Sequence, residues 1–357
     1  MSDATPERRP ATAHDVARAA GVSQSAVSRA FTPGASVSPA TRERIVAAAR
    51  ELGYRPNLVA RSLITGRANL IGVTVPANAN PFYHAALNAL TAAFARAGYG
   101  VLMFTSDPLL GSDPVLDEVL RYRVDALVLI STSLSSHFAD ECMNIGLPVV
   151  MFNRKTDSQA ASSVTGQNRA GARALAAFLH AGKHKRYAYI AGIESSSTSR
   201  DREEGFFDYL CEQGVKAIER RVGQYTAAGA EEAVVSLLSA PKPPDAIFCA
   251  NDHMALAAIS VARARFGLKV GEEVSIVGFD DIDMARWPVF DLTTYSQPLD
   301  DMVQRAVAAV LAQLNGTLDA ALHDEAPGGL IVRGSARKPR RGVVINDDGT
   351  QTWAMPG

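Results

Sequence analysis

The sequence predicts a small all-α domain with a three-helix core, followed by a large α/β domain with two lobes built on parallel sheets. Three observations support this architecture. The chain has 357 residues, whereas one domain takes about 150. The first sixty residues carry three short helical patterns of apolar side chains. From Leu70 onward, short apolar runs alternate with helical stretches.

Composition and charge agree with a folded protein that has one basic end. Hydrophobic residues make up 47% of the chain and charged residues 20%, which is enough apolar surface for a core. Residues 1–67 hold ten arginines and five acids, whereas residues 68–357 hold 26 basic and 32 acidic residues. A positive segment favours a polyanionic partner, although an arginine-rich face can also be a merely solvated surface.

The cysteines predict a reducing compartment. Cys142, Cys211 and Cys249 are odd in number and show no CxxC spacing, so we expect reduced core thiols rather than disulfides or a zinc site. Residues 1–10 have no apolar stretch, and no segment approaches the ~18 apolar residues of a membrane span. We therefore expect a cytoplasmic protein without contact to membranes.

Capping residues and a glycine predict where the first two helices begin and end. Thr12 followed by Asp15 is typical of a capping box, and the first helix should stop at Gly21. Ser23 can cap a second helix, Gln24 to Phe31. The shared core of this pair comprises Val16, Ala17, Ala20, Val22, Val27 and Ala30. This spacing indicates a helix-turn-helix, and the alternative is an ordinary helical hairpin at the edge of a larger domain.

A third helix completes the core and leaves one face of the second helix outward. It should begin at Ser38, with Pro39 in its first turn, and end at Gly53. Its inward residues are predicted to be Ile45, Val46, Ala49 and Leu52. The outward residues of the second helix are Gln24, Ser25, Ser28 and Arg29, which suit base edges or phosphates. Arg29 could grip guanine with its fork, or lie on a phosphate or in solvent.

These residues resemble a known family. Asp15-Val16-Ala17, Gly21-Val22-Ser23 and Ala26-Val27-Ser28-Arg29 are similar to the headpiece of LacI/GalR-type transcriptional regulators. The similarity continues through Leu52-Gly53-Tyr54-Arg55-Pro56-Asn57 and Ala60-Arg61-Ser62-Leu63, which resembles the hinge helix of that family. The DNA-binding residues that the resemblance implies are Thr12, Ser23, Gln24, Ser25, Ser28, Arg29, Asn57, Ala60, Arg61 and Leu63.

The predicted hinge helix is short. Asn57 can cap it, and Leu58 to Leu63 form barely two turns, too few for a stable isolated helix. The resemblance implies that the hinge orders only when two subunits pair on DNA, with Leu63 wedged into a central minor-groove step. Such a wedge kinks the duplex, and the contacts that bending allows offset the unstacking. The alternative is that Leu63 is only an apolar linker residue.

The larger domain is expected to bind a ligand at the carboxyl ends of its strands. The predicted strands are Leu70 to Val75, Val101 to Phe104, Ala126 to Ile130, Val149 to Phe152, Tyr187 to Ala191, Ala246 to Ala250 and Val274 to Phe279. Alternation with helices predicts βαβ units, and the two groups of strands divide near Gly166. Polar residues follow most of these strands and outline a cleft. Some of them, Asp252 and Asp281 above all, could instead cap the next helix.

The same region resembles the periplasmic-binding-protein-like core of these regulators. The similar segments are Asn80-Pro81-Phe82-Tyr83, Ser199-Arg200, Ala250-Asn251-Asp252, Gly278-Phe279-Asp280-Asp281 and Gln297-Pro298. The resemblance implies that Arg200 and Asp280 hold effector hydroxyls or carboxylates. It also implies flanking contacts from Asn153, Asn251 and Ser131, and an aromatic wall of Phe82 and Tyr225. Such residue types suit a sugar-like effector.

Departures from the family pattern limit what can be transferred. Gln167-Asn168 stands where the family often has Asp-Asn. Arg200 could pair with a nearby acid, and Glu194 beside it would favour a hydroxylated or cationic effector over an anionic one. The basic tail after Ser335 shows no heptad repeat, so we expect a homodimer rather than a tetramer.

The domain boundaries follow from the resemblance. We expect a headpiece over 11–56, a hinge helix or linker over 57–67, a sensor over 68–335 and a basic, flexible tail over 336–357. The first lobe should comprise about 68–164 and 295–325, and the second about 165–294 and 326–335.

The sequence thus predicts a nucleoid-associated repressor that binds palindromic operator DNA under the allosteric control of a small molecule, without cofactor or metal. An enzyme is the first rival, but GxGxxG, GxxxxGK[ST] and GxSxG motifs are absent. Cys249 and His253 could serve as nucleophile and base, but a buried thiol and a helix-face histidine explain them. An exported sugar receptor is the second rival. Such a protein would carry a signal peptide and would lack the Thr12 to Leu63 segment, and neither condition is expected to hold here.

Overall fold

The computed structural model describes residues 9, 11–31, 34–55, 67–76, 80–106, 113–130, 136–155, 161–318 and 320–354. The chain divides into two compact units, Met1–Ala68 and Asn69–Gly357. Among the described helices, none combines the length and the apolar character needed to cross a membrane.

The smaller unit contains three helices, α1 (Ala13–Ala20), α2 (Gln24–Ala30) and α3 (Pro39–Glu51). Gly21 ends α1 with a φ of 63°, a left-handed conformation that costs glycine little. The buried residues shared by the three helices are Val16, Ala17, Ala20, Val27, Ala30, Ile45, Ala48 and Ala49. The side chain of Arg42 donates to the carbonyls of Ala30 and Ala35, and so fastens α3 to the end of α2.

Two of the predicted core residues of α3 were wrong. Val46 is 39% exposed and Leu52 is 42% exposed. Ile45, Ala48 and Ala49 define the inward face, and Val46 is turned by about 100° from Ile45 because each helical residue advances by that angle. Leu52 follows the last helical residue as the C-cap, where the helical spacing no longer applies.

The larger unit alternates strands and helices. Its described helices are α4 (Pro81–Arg96), α5 (Asp113–Tyr122), α6 (Ser136–Asn144), α7 (Asn168–Ala181), α8 (Ser197–Glu212), α9 (Ala227–Leu238), α10 (Asp252–Phe266) and α11 (Leu299–Leu314). A short 3-10 helix covers Asp283–Arg286.

The strands of this unit form two sheets. Those of the first sheet are β1 (Leu70–Pro76), β2 (Gly100–Ser106), β3 (Ala126–Ile130), β4 (Val149–Phe152), β5 (Ser162–Gly166) and β11 (His323–Ala326). Those of the second sheet are β6 (Tyr187–Ala191), β7 (Ile218–Val222), β8 (Ala246–Cys249), β9 (Ser275–Asp280), β10 (Thr293–Ser296), β12 (Gly329–Ile331), β13 (Val343–Ile345) and β14 (Gln351–Trp353).

The chain passes between the two sheets three times, and this produces two lobes. The first sheet has the order β11-β5-β4-β3-β1-β2 and pairs its strands in parallel. The second has the order β13-β14-β12-β10-β9-β8-β6-β7, with parallel strands from β10 to β7. The crossings follow Gly166, Ser296 and Ala326. Helix α11 returns to the first lobe, where it packs on α4 and β5.

The tail is part of the second sheet, so the expectation of a flexible tail was wrong for its described residues. Strands β13 and β14 form an antiparallel hairpin, and the Val332 N–H donates to the Gln351 carbonyl at 2.7 Å. Trp353 is 6% exposed, and its ring meets the Phe178 ring edge-on at 5.7 Å. The basic residues misled the prediction, because the structure is set by the apolar side chains Val343 and Trp353, which join the core.

The cysteines are free thiols, but one prediction about them was wrong. Cys142 and Cys249 are buried, whereas Cys211 is exposed. Cys211 follows the buried Leu210 on α8, so the helical turn directs it to solvent.

Candidate DNA-binding headpiece and effector cleft

The start of α1 is a complete capping box. The Thr12 hydroxyl accepts from the Asp15 N–H at 3.3 Å, and the Asp15 carboxylate accepts from the Thr12 N–H at 3.0 Å. The hydroxyl of Thr12 also donates to that carboxylate at 2.7 Å. These bonds, those of the Thr12 side chain first, hold the pKa of Asp15 below its usual value. The predicted DNA residue Thr12 therefore lies exposed at the first turn of the headpiece.

Helix α2 presents a continuous polar face. Ser23 caps it by accepting from the Ala26 N–H at 3.2 Å, and its hydroxyl lies 2.9 Å from that of Ser25. The exposed residues of α2 include all four that were predicted to face outward: Gln24, Ser25, Ser28 and Arg29. Val27 and Ala30 are buried on the other side. The structure thus brings the predicted recognition residues together on one accessible helix face.

Five predicted site residues lie outside the described residues. They are Asn57, Ala60, Arg61 and Leu63 of the predicted hinge, and Ser131 after β3. Their proposed roles stay predictions.

The second lobe has a buried ion pair at the carboxyl end of β9. Arg202 of α8 is 2% exposed and Asp280 is 5% exposed, with 3.2 Å between the guanidinium Nη2 and the carboxylate Oδ1. The guanidinium also donates to Asn168 Oδ1 at 2.8 Å and to the Ala250 carbonyl at 2.6 Å. It lies 3.8 Å from the centre of the Phe279 ring. One buried cation thus joins β8, β9 and α7.

Asp280 is held in an unusual state. Its φ of 125° is rare for a residue with a side chain, and such strain concentrates at functional sites. The amide of Gln297 donates to its Oδ1 at 2.7 Å. Burial raises the pKa of Asp280 to about 6, although Arg202 and Gln297 both lower it. The carboxyl therefore titrates close to neutral pH.

Arg202, and not Arg200, contacts Asp280, while the predicted contact of Arg200 with an effector stays a prediction. Arg200 is exposed and donates to the Ser195 carbonyl at 2.9 Å. Two residues along a helix differ in direction by about 200°, so only one of these arginines can face the sheet. A signal for Arg202 was present in the sequence, because it precedes the buried Phe206 and Leu210 at intervals of four residues.

Three buried polar atoms after the carboxyl ends of strands have no hydrogen-bond partner among the residues that the structure describes. They are Asn153 Oδ1, Asn251 Nδ2 and Gln297 Oε1. Each residue is at most 4% exposed and follows the carboxyl end of a strand, β4, β8 or β10. A buried polar atom without a partner costs about 1–3 kcal/mol, so these three atoms favour a polar ligand. Asn251 uses its other amide atom, Oδ1, to cap α10 through the Met254 N–H.

The predicted aromatic wall residues are both buried near this edge. Phe82 is 3% exposed in the first turn of α4, and Tyr225 is 5% exposed after β7. The Tyr225 ring lies directly over Gly192, where an added Cβ would meet its Cζ at 2.1 Å. Its hydroxyl lies 3.3 Å from Thr198 Oγ1 at the start of α8. Gly192 is therefore required for the placement of the ring.

Asp252 and Asp281 do not cap helices, contrary to the alternative left open by the sequence. Asp252 accepts from the Thr294 hydroxyl at 2.6 Å and from the Ile282 N–H at 2.9 Å. Burial, followed by the charge of Asp280, raises the pKa of Asp252 to about 8. Asp281 pairs with Arg333 at 2.7 Å. Both carboxyls fasten β9 to neighbouring segments.

Comparison with known proteins identifies the family. A model of bacterial regulatory proteins of the lacI family matches residues 12–57, and a model of a periplasmic binding protein-like domain matches residues 176–336. The HTH-type transcriptional repressor CytR of Escherichia coli (strain K12) is 32% identical over 330 residues, which cover 92% of this chain and 96% of CytR. The chain belongs to the LacI family.

Further relatives and solved structures support membership of the LacI family. The LacI-family regulator GalS of Salmonella typhimurium is 34% identical over 311 residues, or 86% of this chain and 91% of GalS. A crystal structure of the Lac repressor dimer bound to operator and the anti-inducer ONPF matches with a TM-score of 0.83 and 28% identity, covering 92% of this chain and 100% of that one. A complex of the regulator CelR with cellobiose matches with a TM-score of 0.70 and 28% identity, and the match covers 91% of this chain and 100% of CelR.

As a LacI-family member, the chain is a DNA-binding transcriptional regulator and not an enzyme. The two residues that an enzymatic mechanism would use fit this conclusion. Cys249 is buried on β8, where burial raises the pKa of its thiol well above the usual range. Burial lowers the pKa of His253, which lies in the first turn of α10.

Proposed function

We propose that this chain represses transcription as a homodimer that binds a near-palindromic operator and changes its operator affinity when a small hydroxylated effector enters the cleft. Two features carry the proposal: the exposed polar face of α2, and the unpartnered polar atoms of Asn153, Asn251 and Gln297 after the carboxyl ends of strands. The first feature suits base edges and phosphates. The second suits a ligand with several hydroxyl groups.

The DNA part of the proposal rests on symmetry. A two-fold dimer presents two copies of α2 and therefore reads two inverted half-sites. The Lac repressor, which shares the fold, is a dimer in its operator complex. We assign the headpiece to 11–56 and the hinge to 57–67, with Asn57, Ala60 and Arg61 near the backbone and Leu63 in the minor groove. Chromosomal operators lie in the nucleoid, so we place the protein there.

The effector part rests on the carboxyl-end cleft of the sensor, 68–335. Asp280 and Arg202 are fixed on the second lobe, whereas Asn153 and Phe82 belong to the first lobe. A ligand that contacts both sets stabilises one relative position of the lobes. Sugars and sugar derivatives are the class of effector that we favour, and CelR in its complex with cellobiose is similar to this chain over 91% of its length.

Footprinting on genomic fragments, including the region upstream of its own gene, tests the DNA part. We expect a protected near-palindrome bound with sub-micromolar Kd, and a steep loss of affinity as salt rises, because arginine-rich heads displace counterions. The absence of any protected site at low salt, with and without candidate sugars, would contradict the proposal.

A thermal-shift screen of sugars and sugar acids tests the effector part, because a ligand that binds only the folded state raises its apparent stability. Coupling between the sites must be reciprocal. If a sugar changes operator affinity by some factor, typically about 5- to 150-fold, the operator must change the affinity for that sugar by the same factor. Calorimetry with and without operator duplex measures both, and unequal factors would exclude a single linked switch.

A further inference from the structure

The hairpin of the tail leaves one strand at the edge of the second sheet. Strand β13 stands first in the order of that sheet and pairs with β14, and none of the described strands covers its other side. The Asn346 N–H and the Gly342 carbonyl bond to the second arm of the hairpin, with N···O distances of 2.9 Å and 3.1 Å. Bonded residues alternate along an antiparallel strand, so the backbone groups of Val343 and Ile345 point away from the hairpin.

This edge is apolar and held in place. Val344 is 53% exposed and Ile345 is 69% exposed, on opposite faces of the strand. The indole N–H of Trp353, a buried residue of β14, donates to the Arg341 carbonyl at 3.0 Å and so fixes the start of β13. An unpaired apolar edge is a template for another strand, and a rigid one loses little entropy on pairing.

Charged side chains lie symmetrically about Val344. Arg341 precedes it by three residues and Asp347 follows it by three. Both are exposed, and neither forms an ion pair with another residue in the described part of the chain. Asp348, in contrast, accepts from the Thr350 N–H at 2.9 Å within the turn. Two identical strands that pair antiparallel about Val344 place each Arg341 opposite Asp347 of the other copy, because positions at equal distances from the axis face each other.

The backbone fits the same axis. With Val344 on it, Val343 faces Ile345 of the second copy, and these are the residues whose backbone groups point outward. Each such pair exchanges both of its hydrogen bonds. The opposed side chains are valine with valine and valine with isoleucine, which stabilise cross-strand pairs. Charge, backbone direction and apolar contact thus select one occupant for this edge, a second copy of the same strand.

We propose that β13 pairs with β13 of a second copy of the chain, antiparallel about a two-fold axis at Val344, and thereby joins two homodimers into a tetramer. The contact is short, and interfaces below about 1,200 Å² are typical of weak or transient association. We therefore expect the pairing to be populated at about 10–100 µM and to be absent at about 1 µM. This inference goes beyond the proposed homodimer, because one dimer already presents two copies of α2.

Cysteine cross-linking in the full chain tests the register. Cys211→Ser first removes the exposed native thiol. Val344→Cys in this background places two thiols in a directly opposed pair, where the Cα atoms lie about 4.5 Å apart, within reach of a disulfide. Ile345→Cys is the matched control, since its side chain is more exposed but its two copies lie beyond the roughly 7 Å limit between Cα atoms.

Mild oxidation at about 50 µM should give covalent dimers on a non-reducing gel about tenfold faster with Val344→Cys than with Ile345→Cys. Random collision would favour the more exposed Ile345→Cys instead. Equal rates in the two variants, or no cross-linking of Val344→Cys, would overturn the proposed pairing.

Charge reversal tests the symmetry through sedimentation of the full chain. Arg341→Asp and Asp347→Arg each place like charges opposite one another, so each should weaken the association about tenfold. The double variant restores opposite charges and should associate like the wild type. A double variant that associates no better than either single variant would overturn the antiparallel arrangement, and so would a wild-type mass that does not double between about 1 and 100 µM.

Operator binding is measured separately by gel shift, below the concentration at which β13 pairs. If operator is bound but Val344→Cys does not cross-link, the edge pairing is wrong and the regulator proposal stands. If Val344→Cys cross-links in register but no operator is bound, the edge pairing stands and the regulator proposal fails.

Discussion

Replacing Arg202 with methionine should destabilise the second lobe by about 3–5 kcal/mol at pH 7, the range expected when one partner of a buried pair is removed. Methionine keeps an apolar contact with the Phe279 ring but removes the guanidinium. The substitution leaves Asn168 Oδ1 and the Ala250 carbonyl without their donor, at about 1–3 kcal/mol for each buried acceptor.

The carboxyl of Asp280 contributes a smaller and pH-dependent share. Because its pKa in the folded protein is about 6, it can escape an uncompensated charge by taking up a proton. Each pH unit above this pKa adds roughly 1 kcal/mol, so this share is on the order of 1 kcal/mol at pH 7 and larger at pH 8. Below pH 6, Asp280 is mostly protonated in both proteins and the share vanishes. The destabilisation should therefore grow as pH rises from 5 to 8.

Urea unfolding followed by tryptophan fluorescence measures this effect, because both tryptophans, Trp287 and Trp353, lie in the second-lobe part of the chain. Arg200→Met is the matched control, since Arg200 is exposed, and its free energy of unfolding should stay within about 0.5 kcal/mol of the wild type. A loss below 1 kcal/mol for Arg202→Met, or a loss that does not change with pH, would refute the assignment of Arg202 as the partner of a titrating Asp280.

Three further predictions concern DNA recognition, the tail and the contact between lobes. Arg29→Ala should lose about 1–3 kcal/mol of discrimination at one operator base pair, whereas Arg55→Ala should weaken binding to all DNA alike, as gel shifts with operator and random duplexes would show. Trp353→Ala should lower the free energy of unfolding by about 3–5 kcal/mol in urea, because a buried ring is removed. Lys155→Met should speed amide hydrogen exchange around Asp201 about two- to fivefold, since Lys155 bonds Asp201 of one lobe and Glu325 of the other.

Each of these has a control and a contrary result. Equal losses on operator and random duplexes for Arg29→Ala would show that it contacts only phosphate. Val344 lies in the same hairpin and is 53% exposed, so the free energy of unfolding of Val344→Ala should stay within about 0.5 kcal/mol of the wild type. A loss for Trp353→Ala that is no larger than the loss for Val344→Ala would argue against a packed tail. Lys242→Met, which removes an exposed lysine of the second lobe, is the control for Lys155→Met. Equal amide exchange rates around Asp201 in the two variants would argue against an interlobe contact.

The sequence predicted most of the headpiece because the relevant forces are local. The capping box of Thr12 and Asp15, the turn at Gly21 and the cap at Ser23 each act over three or four residues. The exposed face of α2 follows from the same short period. Val46 and Leu52 were misplaced because α3 has no sharp apolar face, and contacts with the other two helices select Ile45, Ala48 and Ala49.

Strands with apolar sequences were likewise predictable, whereas polar strands were not. Strand β5, with the sequence Ser-Ser-Val-Thr-Gly, is fully buried between β4 and β11, although only one of its residues is strongly apolar. Its place depends on neighbours that are distant in the chain. The hairpin of the tail was missed for the same reason, because β14 is stabilised by pairing with β12 and by Phe178 of α7.

The sequence by itself determined that Asp280 belongs to the cleft edge, because this residue ends an apolar strand and parallel strands place their carboxyl ends together. Only the tertiary structure decided which arginine meets it. Arg200 and Arg202 are close in sequence, yet α8 packs so that Arg202 faces Phe279 and Asn168 while Arg200 turns to the Ser195 carbonyl. A buried charge is tolerated only where several segments supply partners at once, and that condition is met by packing, which local sequence does not specify.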